Sequence, residues 1–158
     1  MRSGSVSLPR VIVDTRTLIG VLTGKPGGFP AQAVNIVFLW YQRVLSQDTR
    51  DELERVIRRP ALDKYRPLKA RLEFLEKYVE GCDMQPVAQQ VHDCRDPNDD
   101  KFLSLAVSTL TPLIISSDPD LTLMNPYQGV EIITPRVFVE RHAHLPTLAG
   151  GLGLEEPT

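Results

Sequence analysis

The chain has 158 residues, 42% hydrophobic and 24% charged, with a formal net charge of −2. That is sequence for one globular domain, too short for two full ones and not basic enough to coat nucleic acid with its whole surface. Two cysteines without a CxxC pair, Cys82 and Cys94, exclude a zinc ribbon or disulfide scaffold and suit a reducing, cytoplasmic setting, and no apolar run approaches the ~20 residues of a membrane span.

Met1 to Ser7 holds one Arg and no apolar signal core, so residues 1–8 are expected to be disordered or expression-derived. Residues 9–141 are the expected domain and 142–158 a C-terminal tail. Val11-Ile12-Val13 is an apolar, β-branched run ending at Asp14, which predicts a fully buried strand of a parallel sheet. Leu18, Ile19, Val21 and Leu22 predict one or two helical turns. Gly24-Lys25-Pro26-Gly27-Gly28-Phe29-Pro30 is a loop, without the spacing or Ser/Thr of a phosphate-binding loop. Ala31, Val34, Phe38 and Tyr41 recur at helical spacing, and Val37 and Trp40 widen the stripe, predicting a well-buried helix.

Ser46 is the next N-cap. Leu53, Val56 and Ile57 form an inner stripe behind it, with Asp51/Arg55 and Glu54/Arg58 as i,i+4 pairs outside and Pro60 as the stop. Leu68, Leu72, Leu75 and Val79 predict another helix, stopping near Gly81, and Met84 to Val91 reads as a connector. Asp96-Pro97-Asn98-Asp99 is a helix start, with an Asp cap, Pro first and an acid third. Its inner face is Phe102, Leu105, Ala106, Thr109 and Leu110. Leu113-Ile114-Ile115 is a second buried strand, closed by Ser116-Ser117-Asp118-Pro119-Asp120. Val130 to Ile133 is a third strand, and Thr134-Pro135 caps a short helix through Phe138 and Val139. Strands alternating with helices predict an α/β fold, a parallel sheet with helices on both faces.

Asp14 and Asp118 each follow an apolar strand, so both belong at the carboxyl edge of the sheet, where ligands bind. Glu52 borders the buried stripe of its helix, and Asp99 leans toward the inner face of its own. Gathered in one cleft, these four acids would repel one another, and a divalent, oxygen-seeking Mg²⁺ or Mn²⁺ would relieve that repulsion. Each also has a plain structural role open to it. Asp14 can cap a helix, Glu52 can face solvent, Asp99 can be the third acid of the cap, and Asp118 with Asp120 can set a turn. From Arg55 to Arg71 seven basic residues stand against one acid, Asp63. Arg55, Arg58, Arg59, Lys64, Tyr65 and, further on, Lys101 are the candidate RNA-binding residues, with Tyr65 placed to stack a base. Two solvated helix faces explain the cluster equally well. His92, His142 and His144 lack metal-ligand spacing, and His142 and His144 are expected to face solvent.

Taken together these segments resemble a PIN-domain protein of the branch described as toxins of toxin–antitoxin pairs. The matching stretches are Val11-Ile12-Val13-Asp14-Thr15, Ser46 with Glu52 to Pro60, Cys94 to Ala106, Ile115 to Leu121, and Tyr127 to Pro135 with Phe138. They run in order from about Val11 to Glu140. The Arg-Asp-Pro-x-Asp-Asp-Lys-Phe-Leu stretch and the Gly-Val-x-Ile-Ile-Thr-Pro ending are the most specific.

The resemblance implies a Rossmann-like PIN domain and a metal-dependent ribonuclease site. It assigns Asp14, Glu52, Asp99 and Asp118 as catalytic acids, with Asp14, Asp99 and Asp118 on Mg²⁺ or Mn²⁺. Thr15, Arg16, Asp100, Ser116 and Asp120 are assigned supporting positions. It further implies RNA as substrate, a homodimer and a cognate antitoxin. Three departures stand out. Arg16 replaces the usual Asn and could neutralise an acid. Little more than Val44-Leu45 remains for the second strand, which is expected to be stunted or absent. Thr109-Leu110-Thr111-Pro112 replaces a small Gly/Ala connection. The alternative function is a silenced PIN-fold module binding RNA or protein. A third reading is a haloacid-dehalogenase-type phosphohydrolase, which Asp14-Thr15-Arg16-Thr17-Leu18 loosely resembles, with Arg16 where the second Asp belongs.

Overall fold

The computed structural model describes residues 7–145. In chain order it runs β1 (Arg10–Val13), α1 (Thr15–Thr23), α2 (Phe29–Trp40), β2 (Gln42–Leu45), α3 (Gln47–Ile57), α4 (Leu68–Val79), β3 (Asp83–Met84), α5 (Asp100–Thr109), β4 (Leu113–Ile115), α6 (Pro119–Thr122), β5 (Glu131–Ile133) and α7 (Pro135–Arg141). The five strands form one sheet in the order β3-β2-β1-β4-β5. Every pairing is parallel, with Val11 opposite Arg43, Val13 opposite Ile115, and Ile114 opposite Ile132. The chain moves outward from β1 to one side and then crosses to the other, so the crevice between the ends of β1 and β4 is the switch point of the topology.

Strand alternation feeds two cores. Val11, Val13, Leu45, Ile115 and Ile133 face the core built with α1, α2, α3, α4 and α7. Ile12, Val44, Ile114 and Ile132 face the other, built with Phe102, Leu103, Leu105 and Ala106 of α5 and with Leu121. Helices therefore cover both faces, as predicted for a sheet whose strands are apolar on both sides. Each fully buried aliphatic side chain contributes about 1.5–3 kcal/mol. No helix among the described residues is long and apolar enough to cross a membrane.

Several expectations are corrected. The second strand is neither absent nor stunted: Gln42–Leu45 pairs with β1 on one side and β3 on the other. Its polar half hid it. Arg43 is buried because Nε donates to the Tyr78 carbonyl (2.8 Å) and Nη2 to the Glu80 carbonyl (2.6 Å), while the guanidinium lies 4.6 Å from the Phe38 ring centre. The connector read from Met84 begins inside a strand, Asp83–Met84. Leu110 is 87% exposed rather than inward, because it closes α5 in the left-handed conformation at φ 55°. Asp51 does not pair with Arg55; it accepts from Gln47 and lies 3.8 Å from Arg50, whereas the Glu54/Arg58 pair does form at 3.4 Å. Trp40 is 37% exposed. His142, expected in solvent, stacks 4.1 Å from Phe138 and hydrogen-bonds the Tyr41 hydroxyl at 2.6 Å.

Candidate active site

Asp14 is fixed by the ends of β1 and β4. Its amide donates to the Ile115 carbonyl (3.1 Å), Oδ1 accepts from the Thr17 amide (2.9 Å) and Oδ2 accepts from Ser116 Oγ (2.5 Å). The residue is 2% exposed. Burial pushes its carboxyl above the ordinary range, against the hydrogen bonds from Ser116 and Thr17. Asp14 is thus both the N-cap of α1 and a floor residue of the cleft. Position 16 is Arg, so the second acid of the phosphohydrolase reading has no counterpart there.

Ser116 also accepts from the Asp118 amide (2.9 Å), which seats the turn after β4. Asp118 Oδ1 then accepts from the Asp120 amide (2.9 Å), capping α6. Across the crevice, Asp96 caps a 3-10 turn at Pro97–Asp99 before α5 begins. The predicted helix therefore starts one turn later, and Asp99 is freed from the third-acid role. Its Oδ2 is buried without a hydrogen-bond partner. Its carboxyl is pushed up to about 8, first by burial, then by the Asp118 carboxyl beside it, and then by the charges of Asp96 and Asp14.

Glu52 enters from α3. Thr15 Oγ1 donates to Oε1 (2.6 Å) and Lys101 Nζ to Oε2 (2.5 Å). Asp14, Thr15, Arg16, Glu52, Arg59 and Asp99, closed by Ile19, Val56 and Phe102, line one cleft of about 290 Å³. Arg16 lies at its mouth, 63% exposed, with Nη1 3.7 Å from Asp118 Oδ1.

Asp14, Glu52 and Asp99 thus share one cleft, and Asp118 adjoins it through Asp99 and Arg16. The carboxylates with oxygens mutually within 4.8 Å are a different set, Asp96, Asp99 and Asp120. Asp96 was read from the sequence only as a cap; its signal as a site residue was the same Asp-Pro-x-Asp run. Asp120 also accepts from Arg95 Nε at 2.6 Å. Asp100 instead accepts from the Cys94 amide (2.8 Å) and braces the loop. A divalent cation fits this chemistry: the donors are all carboxylate oxygens, and Asp99 presents an unpartnered one amid three other acids.

The basic run divides. Arg66 and Arg71 turn inward, with Arg71 fully buried and donating to the Ile57 (2.7 Å) and Arg59 (3.0 Å) carbonyls. Those bonds fix the turn that carries Arg59 to the cleft. Arg55 and Lys64 stay on the surface, Arg58 pairs with Glu54, and the half-buried Tyr65 ring already has Lys64 Nζ at 5.2 Å. Lys101 is committed to Glu52 rather than free on the surface.

Comparison with known proteins agrees with this architecture. A family model described as PIN domain matches residues 10–120. Among solved structures, the crystal structure of PAE2754 from Pyrobaculum aerophilum is similar, at TM-score 0.58 and 14% identity, over 87% of this chain and 91% of that one. At that identity the likeness concerns the fold alone. No curated protein sequence matches the chain.

Proposed function

The chain belongs to the PIN-domain family, whose members are generally nucleases, and from that premise we propose that it is a metal-dependent endoribonuclease hydrolysing RNA phosphodiesters. The observation that carries the reading is the state of Asp99, a carboxyl with a buried, unpartnered oxygen, surrounded by Asp118, Asp96 and Asp14 and raised to about 8. A divalent cation would give that oxygen a partner and offset the surrounding negative charge.

In this reading Asp14, Asp99 and Asp118 would hold Mg²⁺ or Mn²⁺, and Asp96 and Asp120 stand beside Asp99. A divalent ion held there would supply Lewis-acid polarisation of the phosphodiester and a lowered pKa for a bound water. Thr17 and Ser116 keep both oxygens of Asp14 aimed by hydrogen bonds. Thr15 and Lys101 hold Glu52 at the cleft wall through one hydrogen bond to each of its oxygens. Arg16 and Arg59 flank the opening and take phosphate oxygens of the strand, with Arg55, Arg58, Lys64 and Tyr65 extending the track beyond the cleft. The finer reading is a cytoplasmic toxin, dimeric and silenced by an antitoxin whose acidic segment would occupy the same basic surface.

The test is cleavage of a fluorogenic single-stranded RNA with Mn²⁺, Mg²⁺ or chelator, by the parent and by Asp99→Asn. Cleavage that needs the metal and is lost in Asp99→Asn supports the proposal; equal cleavage by both proteins refutes it. One observation favours a second reading, a silenced binding module: Arg16 Nη1 stands 3.7 Å from Asp118. RNA binding without cleavage, and Mn²⁺ binding seen only after Arg16→Asn, would select it.

A further inference from the structure

We infer that this site takes one divalent cation, because the ammonium of Lys101 occupies the place beside Glu52 that a second cation would need. The inference rests on the metal-dependent reading above and specifies it.

The two walls of the cleft differ in charge compensation. On one wall Asp99 has a buried oxygen with no partner, and the groups that perturb it are all acids. On the other, Glu52 has both oxygens engaged, Oε1 by Thr15 at 2.6 Å and Oε2 by Lys101 at 2.5 Å. Neither partner is loosely held on the surface: the Glu52 and Lys101 side chains are 13% and 22% exposed. A cation placed against Glu52 would meet an ammonium already in contact, whereas Asp99 itself is in no ion pair among the described residues, the nearby Arg16 and Arg95 being paired with Asp118 and Asp120.

The placement of Lys101 follows from the fold. It is the second residue of α5, two positions after Asp99, so the segment that delivers the uncompensated acid also delivers the compensating amine. Thr15 follows Asp14 directly. Glu52 therefore ties α1, α3 and α5 together at the cleft, and its Lys101 pair fixes a positive charge there without a bound ion. Lys101 is then a built-in substitute for a metal, not a surface contact for RNA.

The experiment counts Mn²⁺ per folded chain, by calorimetric titration and by the electron paramagnetic resonance signal of free Mn²⁺. The parent is expected to bind one, Lys101→Arg one, Lys101→Met two, and the Glu52→Gln/Lys101→Met double variant one again. Two ions in the parent, or one in Lys101→Met, overturns the inference while leaving metal dependence intact. No bound ion in the parent overturns the metal-dependent reading together with it. The parent count requires no variant, so the inference is tested even where a substitution prevents folding.

Discussion

Ser116 Oγ donates to Asp14 Oδ2 at 2.5 Å and so joins the carboxyl ends of β1 and β4, residues 102 positions apart in sequence. The same oxygen accepts from the Asp118 amide. One hydroxyl thus sets both the first acid and the turn that carries the last. Ser116→Ala is expected to cost about 1–3 kcal/mol, the penalty for an under-satisfied buried polar group. It should also raise the Asp14 carboxyl further, since this bond is the largest influence opposing burial. Urea denaturation at neutral pH checks the first effect. An unchanged midpoint would mean that Thr17 alone holds Asp14.

Asp99 gives the protein a distinct pH dependence. Its carboxyl rises from an ordinary 3.8 to about 8 in the fold. Through that window the native chain keeps a proton that the unfolded chain has released, so unfolding free energy falls as pH rises. Asp14 is shifted the same way and adds to the slope. In chelator, the thermal midpoint is expected to drop between about pH 5 and about pH 8. Asp99→Asn should flatten the curve, and Mn²⁺ should restore the parent most at the alkaline end. A midpoint that stays level in the parent would contradict a raised Asp99.

Legibility followed the apolar pattern. Val11 to Val13 and Leu113 to Ile115 are continuous β-branched or aliphatic runs, and both are buried central strands. Asp14 and Asp118 could be placed at the sheet edge because each directly follows such a run. β2 escaped because Gln42 and Arg43 look like surface, and only the three-dimensional position of the α4 carboxyl end explains a buried arginine. Asp99 was placed on a helix one turn early, since a 3-10 turn shares the cap and proline of an α-helix start. The Thr15–Glu52–Lys101 link joins residues up to 86 positions apart through three helices, and neither helical periodicity nor charge spacing reports it.

Arg16 tests how far a tethered cation weakens the site. The pair with Asp118 is long, 3.7 Å, and Arg16 is mostly solvent-exposed. An exposed pair of this kind is worth about 0.2–1 kcal/mol. Arg16→Asn is therefore expected to tighten Mn²⁺ binding by no more than about fivefold, as read by calorimetry. If the arginine also holds a phosphate, the same variant should weaken RNA binding, and that loss should shrink as salt is raised. A variant that tightens the metal and leaves RNA affinity untouched would assign Arg16 to Asp118 alone.

Arg59 is the exposed member of the basic run that reaches the cleft wall, on a turn braced by Arg71. Counterion release makes its role measurable without a structure of the complex. Removing one phosphate contact to a single strand should reduce the slope of log affinity against log salt by about 0.7. Arg59→Ala is expected to show that decrement with a metal-free, non-cleaving Asp99→Asn background and a short single-stranded RNA. Lys25→Ala is the control, because α1 carries the chain about 13 Å away from Asp14 before that loop begins. Equal slopes for both variants would place the strand elsewhere on the surface. A decrement for Arg59 alone would fix the direction of the RNA, from the acids toward the turn between α3 and α4.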